Sequence, residues 1–222
     1  MFAAASLTDA LESVAASYER ETGQSVRLSF AGSGAVARQV QSGAPADVVI
    51  LADEPWMDRL EQSGRVRPGT RRDLLSNILV VVAGDDAPDI ADPLAWVMNG
   101  DRKLVIGDPE SVPAGAYART WLQGVGRWET LQPHIVTAAD VRAARTFVER
   151  GEAALGVVYR SDAIGAPGVR VVLTPPAEQQ PRIVYPAALV KDGKPGADAF
   201  LGYLQGPQAR AVFDAAGFGP PR

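Results

Sequence analysis

Four times along the chain a short apolar run stops at a turn of small or polar residues, and helical spacing begins at once behind it. Phe2–Ala5 breaks at Ser6-Leu7-Thr8-Asp9, after which Leu7, Leu11, Val14, Ala15 and Tyr18 fall on one helical face until Gly23. Val26–Phe30 runs into Gly32-Ser33-Gly34, followed by Ala35, Val36 and Val40. Lys103–Gly107 leads through Asp108–Val112 to a helix expected from Ala114 to about Val125, with Pro113 at its first position. Residues 134–137 lead to Ala139-Asp140-Val141, with Asp140 as a possible cap and Val141, Ala144, Phe147 and Val148 facing inward. Strands that alternate with helices of this length cannot pair as hairpins; they predict α/β architecture with mostly parallel sheets.

The remaining segments fill in two such sets. Asp47–Leu51 reads as a buried strand, and Asp53-Glu54-Pro55 as the capped start of a helix reaching about Ser63. Arg67–Leu75 reads as a polar stretch with at most one helical turn. Ile78–Ala83, Ala154–Tyr159, Val169–Leu173 and Val184–Val190 read as strands. Pro93–Asn99, Ala197–Leu204 and a last segment from Gly206 to about Gly217 read as helices. The expected division is one lobe of residues 1–79 plus 183–222 and a second of residues 80–182, with a hinge at the crossings near 78–83 and 181–185.

This pattern has a chemical consequence. Ligands of parallel α/β sheets bind outside the carboxyl ends of the strands, where helices begin. The first N–H groups of a helix have no intrahelical acceptor and its N-terminus favours an anion. Ser33 can cap its helix, and two glycines let the backbone turn sharply and be approached closely. Each helix start contributes roughly 0.3–1 kcal/mol, and up to about 2 when desolvated, whereas a micromolar complex needs about 8 kcal/mol. Dipoles alone fall short, so short hydrogen bonds from N–H and serine O–H must add to them. A shared anion cleft between two lobes competes here with the bland reading, that every α/β protein has such junctions.

Composition removes most other classes. The net charge is −4 and no long basic run occurs, which argues against a nucleic-acid partner. No apolar run is long enough to span a bilayer. There is no cysteine, so thiolate sites and disulfides are excluded, and His134 is the sole histidine. A serine hydrolase using Ser33 would have to find its base there, and no G-x-S-x-G or GxxxxGK[ST] motif is present. Asp47, Asp53 and Glu54 could bind a cation, though first-turn acids normally stabilise a helix start. Trp56, Trp96, Trp121 and Trp128 are dispersed and read mostly as core. Tyr159 at a strand end reads as core or as a hydroxyl for the cleft.

Several longer stretches resemble the periplasmic molybdate-binding proteins of bacterial ABC importers. They are Phe2–Thr8, Phe30–Gly34 with Ala37-Arg38-Gln39, Gly43–Asp47, Ala52-Asp53 with Trp56-Met57, and Gly107–Glu110 with Val112–Gly115. Asp140-Val141-Arg142, Leu155–Tyr159 with Ser161-Asp162-Ala163, Gly206–Ala209 and Gly217-Phe218 continue the match in order to the end of the chain. The resemblance implies a two-lobed, hinged binding protein of the type II periplasmic-binding-protein fold, with its ligand in the interlobe cleft. It implies no catalytic activity and no cofactor; molybdenum, or tungsten, enters only as the tetrahedral oxyanion, bound for a membrane permease. Carried over by position, the contacts are the hydroxyl and N–H of Ser6 and Ser33, the N–H of Ala114 and Val141, and the phenol of Tyr159. Sulfate or another oxyanion is the alternative ligand. A ligand-sensing regulator would need a DNA-binding segment, and none is seen. The chain departs from the family at Gly32 and Gly34, where flanking serines are common, and at its abrupt start, which reads as truncation of an exported, periplasmic, monomeric protein.

Overall fold

A computed structural model describes residues 1–221; Arg222, the last residue of the expected first lobe, lies outside the described residues. The chain runs β1 (Phe2–Ala4), a 3-10 turn (Ala5–Leu7), α1 (Thr8–Thr22), β2 (Ser29–Ala31), α2 (Ser33–Gln41), β3 (Val48–Ile50), α3 (Glu54–Gln62) and β4 (Arg72–Ser76). It continues through β5 (Leu79–Gly84), α4 (Pro93–Met98), β6 (Leu104–Gly107), α5 (Pro113–Gly124), α6 (Trp128–Leu131), β7 (Ile135–Ala138), α7 (Val141–Glu149), β8 (Leu155–Tyr159), α8 (Arg160–Ala163) and β9 (Val169–Leu173). β10 (Val184–Leu189), α9 (Ala197–Tyr203) and α10 (Pro207–Ala215) complete it. The chain forms two compact units, one of residues 1–77 with 183 onward and one of residues 78–182.

Each unit is built on a five-stranded sheet, ordered β2-β1-β3-β10-β4 in the first and β7-β6-β8-β5-β9 in the second. β1 pairs in parallel with β2 and β3, and β6 with β7 and β8. One strand in each sheet reverses. β10 is antiparallel to β3 and β4, and β5 is antiparallel to β8 and β9. Both reversed strands begin within two residues of where the chain passes from one unit to the other. A strand arriving from another unit needs no crossover helix, so it is free to enter its sheet in the opposite direction.

Local chemistry explains the helix boundaries. Gly23 ends α1 in the left-handed region (φ 72°), its N–H on Glu19 O at 2.8 Å. Asp53 caps α3 by accepting the Trp56 N–H at 3.2 Å. In the first unit, α2 and α3 bury Val36, Val40, Met57 and Leu60 with Val49 and Leu51. The polar segment read at Arg67–Leu75 is in fact strand β4 over Arg72–Ser76. Its last three residues are buried and it pairs with β10, so pairing to a distant strand overrides its polar start.

Candidate donor sites at the carboxyl ends of both sheets

In the first unit, Ala4 of β1 pairs opposite Ala31 of β2. Ser6 and Ser33 each follow two residues after that last pair, beyond the carboxyl ends of these neighbouring strands. Both are buried, at 5% and 1% exposure. Ser6 lies in the 3-10 turn between β1 and α1, and its Oγ is 3.0 Å from the Tyr185 hydroxyl. Ser33 is the first residue of α2 rather than its cap. Gly32 holds the cap position, and no side chain caps this helix. The reason lies across the sheet: Ser33 Oγ instead accepts the N–H of Ala52, just beyond β3, at 2.9 Å. With that lone pair engaged, the serine's one proton is left to donate elsewhere. Gly32 sits at φ −57°, ψ 142°, a conformation open to any residue, so the turn does not need glycine for its torsion angles.

In the second unit, β6 lies between β7 and β8, and Gly107 pairs opposite Ala138. Helices α5 and α7 start behind those two strand ends. At α5, the Val112 N–H goes to Asp108 O at 2.7 Å, Gly115 N–H goes to Val112 O at 3.0 Å, and Pro113 has none to give. This leaves the Ala114 N–H as the donor of that turn outside the backbone ladder. At α7, Asp140 accepts the Ala143 N–H on its carboxylate (2.9 Å) and the Ala144 N–H on its carbonyl (3.1 Å). Val141, at the first helical position, precedes both of these bonds. Ala114 and Val141 are 1% and 3% exposed.

Tyr159 ends β8 at the same sheet edge and is buried. Its N–H donates to Asp162 Oδ2 at 3.3 Å. Asp162 is buried as well, and its pKa is pushed up to about 7, chiefly by desolvation, against the pull of Arg142, the Tyr159 N–H and Arg145. Asp53, at the corresponding position after β3 in the first unit, is also raised to about 7, again mainly by burial. Each sheet edge thus holds a buried aspartate able to be neutral near physiological pH.

All five residues expected from the sequence therefore stand at carboxyl ends of parallel strands, Ser6 and Ser33 in one unit, Ala114, Val141 and Tyr159 in the other. Each can present an N–H or O–H, and none carries a charge. His134 stands at the amino end of β7, the opposite end from Val141, with Nδ1 3.1 Å from Arg102 O. Asp53 serves as a helix cap, and among the described residues no cluster of three or more His, Asp or Glu could hold a metal ion. Trp56 is nearly buried in the α2–α3 core, with the Arg59 guanidinium 4.3 Å from its ring. Three participants were not legible in the sequence: the Ala52 N–H, Tyr185 and Asn77, whose Nδ2 donates to Tyr185 Oη at 3.3 Å.

Residues 1–219 match the family model described as bacterial extracellular solute-binding protein. The molybdate-binding protein ModA of Escherichia coli (strain K12) is 45% identical over 225 residues, covering 98% of this chain and 87% of that protein. Its counterpart in Haemophilus influenzae is 38% identical, over 98% and 88%. The solved periplasmic molybdate-binding protein of Azotobacter vinelandii superimposes with a TM-score of 0.89 at 30% identity, covering 100% of this chain and 99% of that one. The sulfate-binding protein SubI of Mycobacterium tuberculosis gives 0.87 at 21% identity over 99% and 85%, a likeness of fold alone. The chain is a non-enzymatic solute-binding protein with the two-lobed periplasmic-binding-protein fold, and it belongs to the molybdate-binding family of bacterial extracellular solute-binding proteins.

Proposed function

We propose that this protein captures molybdate, or tungstate, for an ABC importer and delivers it to the membrane permease. A single tetrahedral dianion would receive the hydroxyls and N–H groups of Ser6 and Ser33, the N–H groups of Ala114 and Val141, and the Tyr159 phenol. The observation that carries this reading is the direction of the Ser33 bond. Its oxygen accepts from Ala52, so that bond leaves the hydroxyl proton for a ligand. A buried set of neutral donors suits an ion that offers acceptors only. Hydrogen phosphate, which carries an O–H of its own, finds no acceptor in the N–H groups, and a serine or tyrosine hydroxyl could accept that proton only in place of donating its own. Sulfate has the same charge and shape as molybdate and differs in size, so discrimination between them falls to the dimensions of the site. The chain would work as a monomer in the periplasm.

A hydrolase reading of Ser33 has no support: its oxygen faces an N–H donor, and the sole histidine lies in the other unit at the amino end of a strand. Calorimetry on desalted protein tests the proposal. Tight one-to-one binding of molybdate is expected, with sulfate and phosphate much weaker; absence of heat with both molybdate and tungstate would refute it.

A further inference from the structure

Tyr185 and Asn77 belong to none of the strand-to-helix junctions, yet they meet Ser6 in the interior of the first unit. Tyr185 lies on β10, 179 positions along the chain from Ser6, and is fully buried. The β10–β4 register shifts between Tyr185 and Pro186. Proline has no N–H for the ladder, and such a shift re-aims the neighbouring side chain. The Tyr185 ring is braced edge-on by Phe218 at 5.5 Å, and Phe218 by Phe213 at 5.9 Å. The hydroxyl is thus held at a fixed point, 3.0 Å from Ser6 Oγ and 3.3 Å from Asn77 Nδ2. Asn77 is itself buried and is the last residue before the chain leaves this unit.

Proton counting gives this trio a direction. A serine hydroxyl has one proton. If Ser6 donates it to an oxyanion, as proposed above and on which this inference rests, then the Ser6–Tyr185 bond must be donated by the phenol. The phenol oxygen is then available as an acceptor, and the group facing it is an amide nitrogen, which can only donate. We infer that Asn77 and Tyr185 are positioning residues that orient the Ser6 proton towards the ligand, in the order Asn77 N–H to Tyr185 O–H to Ser6 O–H to anion. Ser33 obtains the same orientation from a backbone N–H, that of Ala52. Both serines are thereby made donors by a donor behind them, and neither is turned to accept from a ligand that must itself donate a proton. Chains of this kind also strengthen their last bond, because each member polarises the next.

The test uses the full chain and two tetrahedral dianions at pH 8: molybdate, and hydrogen arsenate, which keeps one O–H. Ser6→Ala is expected to weaken molybdate about tenfold to a hundredfold, the range for a hydrogen bond to a charged group. Tyr185→Phe, which keeps the ring and its packing, is expected to weaken it about three- to tenfold. In the Ser6→Ala background Tyr185→Phe should change nothing further, since it acts through that serine. Losses that simply multiply would overturn the inference. Asn77→Asp puts an acceptor where the amide donated, which reverses the order and turns a lone pair of Ser6 to the ligand. Its added charge repels both dianions alike, so the readout is their ratio. The preference for molybdate over hydrogen arsenate should narrow by about tenfold or more; an unchanged ratio would overturn the inference. If Ser6→Ala leaves molybdate binding intact, the ligand site itself is wrong and the orientation falls with it. A normal Ser6→Ala loss with independent Tyr185→Phe overturns the orientation alone.

Discussion

Ser33 accepts one N–H from Ala52 and keeps a proton to give, so its removal has a readable cost. Ser33→Ala should weaken molybdate binding by about 1.5–3 kcal/mol, the range for a hydrogen bond to a charged group, and titration calorimetry would read this as roughly a tenfold to hundredfold loss. An unchanged affinity would mean that backbone N–H groups hold the ion without it. Asp162 gives a prediction about pH. Burial raises its pKa from 3.8 to about 7, so between those values the folded protein binds more protons there than the unfolded chain. Its contribution is favourable at low pH and is lost as pH rises through about 7. Asp162→Asn should therefore gain in melting temperature relative to the parent as pH is raised from about 4 to about 8; a constant difference would show that this carboxyl does not titrate in that range. At this scale the sequence was legible where a residue's role is local. Ser6, Ser33, Ala114 and Val141 each follow a strand and open a helix or turn. Asn77 and Tyr185 stand 108 positions apart, and nothing in either's neighbourhood announces the other.

Among the elements, α5 shows how a donor is brought to the sheet edge. A Cβ on Gly115 would lie 1.9 Å from Gly107 O, so the start of the helix rests directly on the end of β6. Glycine is needed there for close approach and not for its torsion angles. Gly115→Ala must push α5 away from β6 and carry the Ala114 N–H with it, so molybdate affinity should fall by more than tenfold with a lowered melting temperature. Wild-type affinity in that variant would show that the Ala114 N–H does not touch the ligand. At α7 the cap performs the equivalent task. Asp140→Ala removes the acceptor of the Ala143 N–H and should cost about 1 kcal/mol in stability, measured by urea denaturation. Helical spacing and caps made these elements readable from sequence. β4 was missed because Arg72 and Asp73 are exposed and polar, while its place is decided by pairing with β10, more than a hundred residues later. The glycine turn was misread for a related reason. Gly-Ser-Gly suggests unusual torsion angles and a capping serine, whereas Gly32 is ordinary in φ and Ser33 is bonded across the sheet.

For the whole molecule, the two units repeat one plan. Three parallel strands carry the helix starts, one reversed strand arrives from the other unit, and a buried aspartate stands near the donor edge. Alternating elements made the α/β class legible. The reversed strands were not, because strand direction inside a sheet leaves no mark on a run such as Val184–Leu189, which is buried throughout. Capture of molybdate as proposed requires that donors from both units serve the same ion. Amide resonances recorded during a molybdate titration test this most directly. One equivalent should shift the N–H signals of Ser6 and Ser33 and those of Ala114 and Val141 together, with a common saturation point. Shifts confined to the residues of one unit, or two sets saturating at different molybdate concentrations, would contradict it.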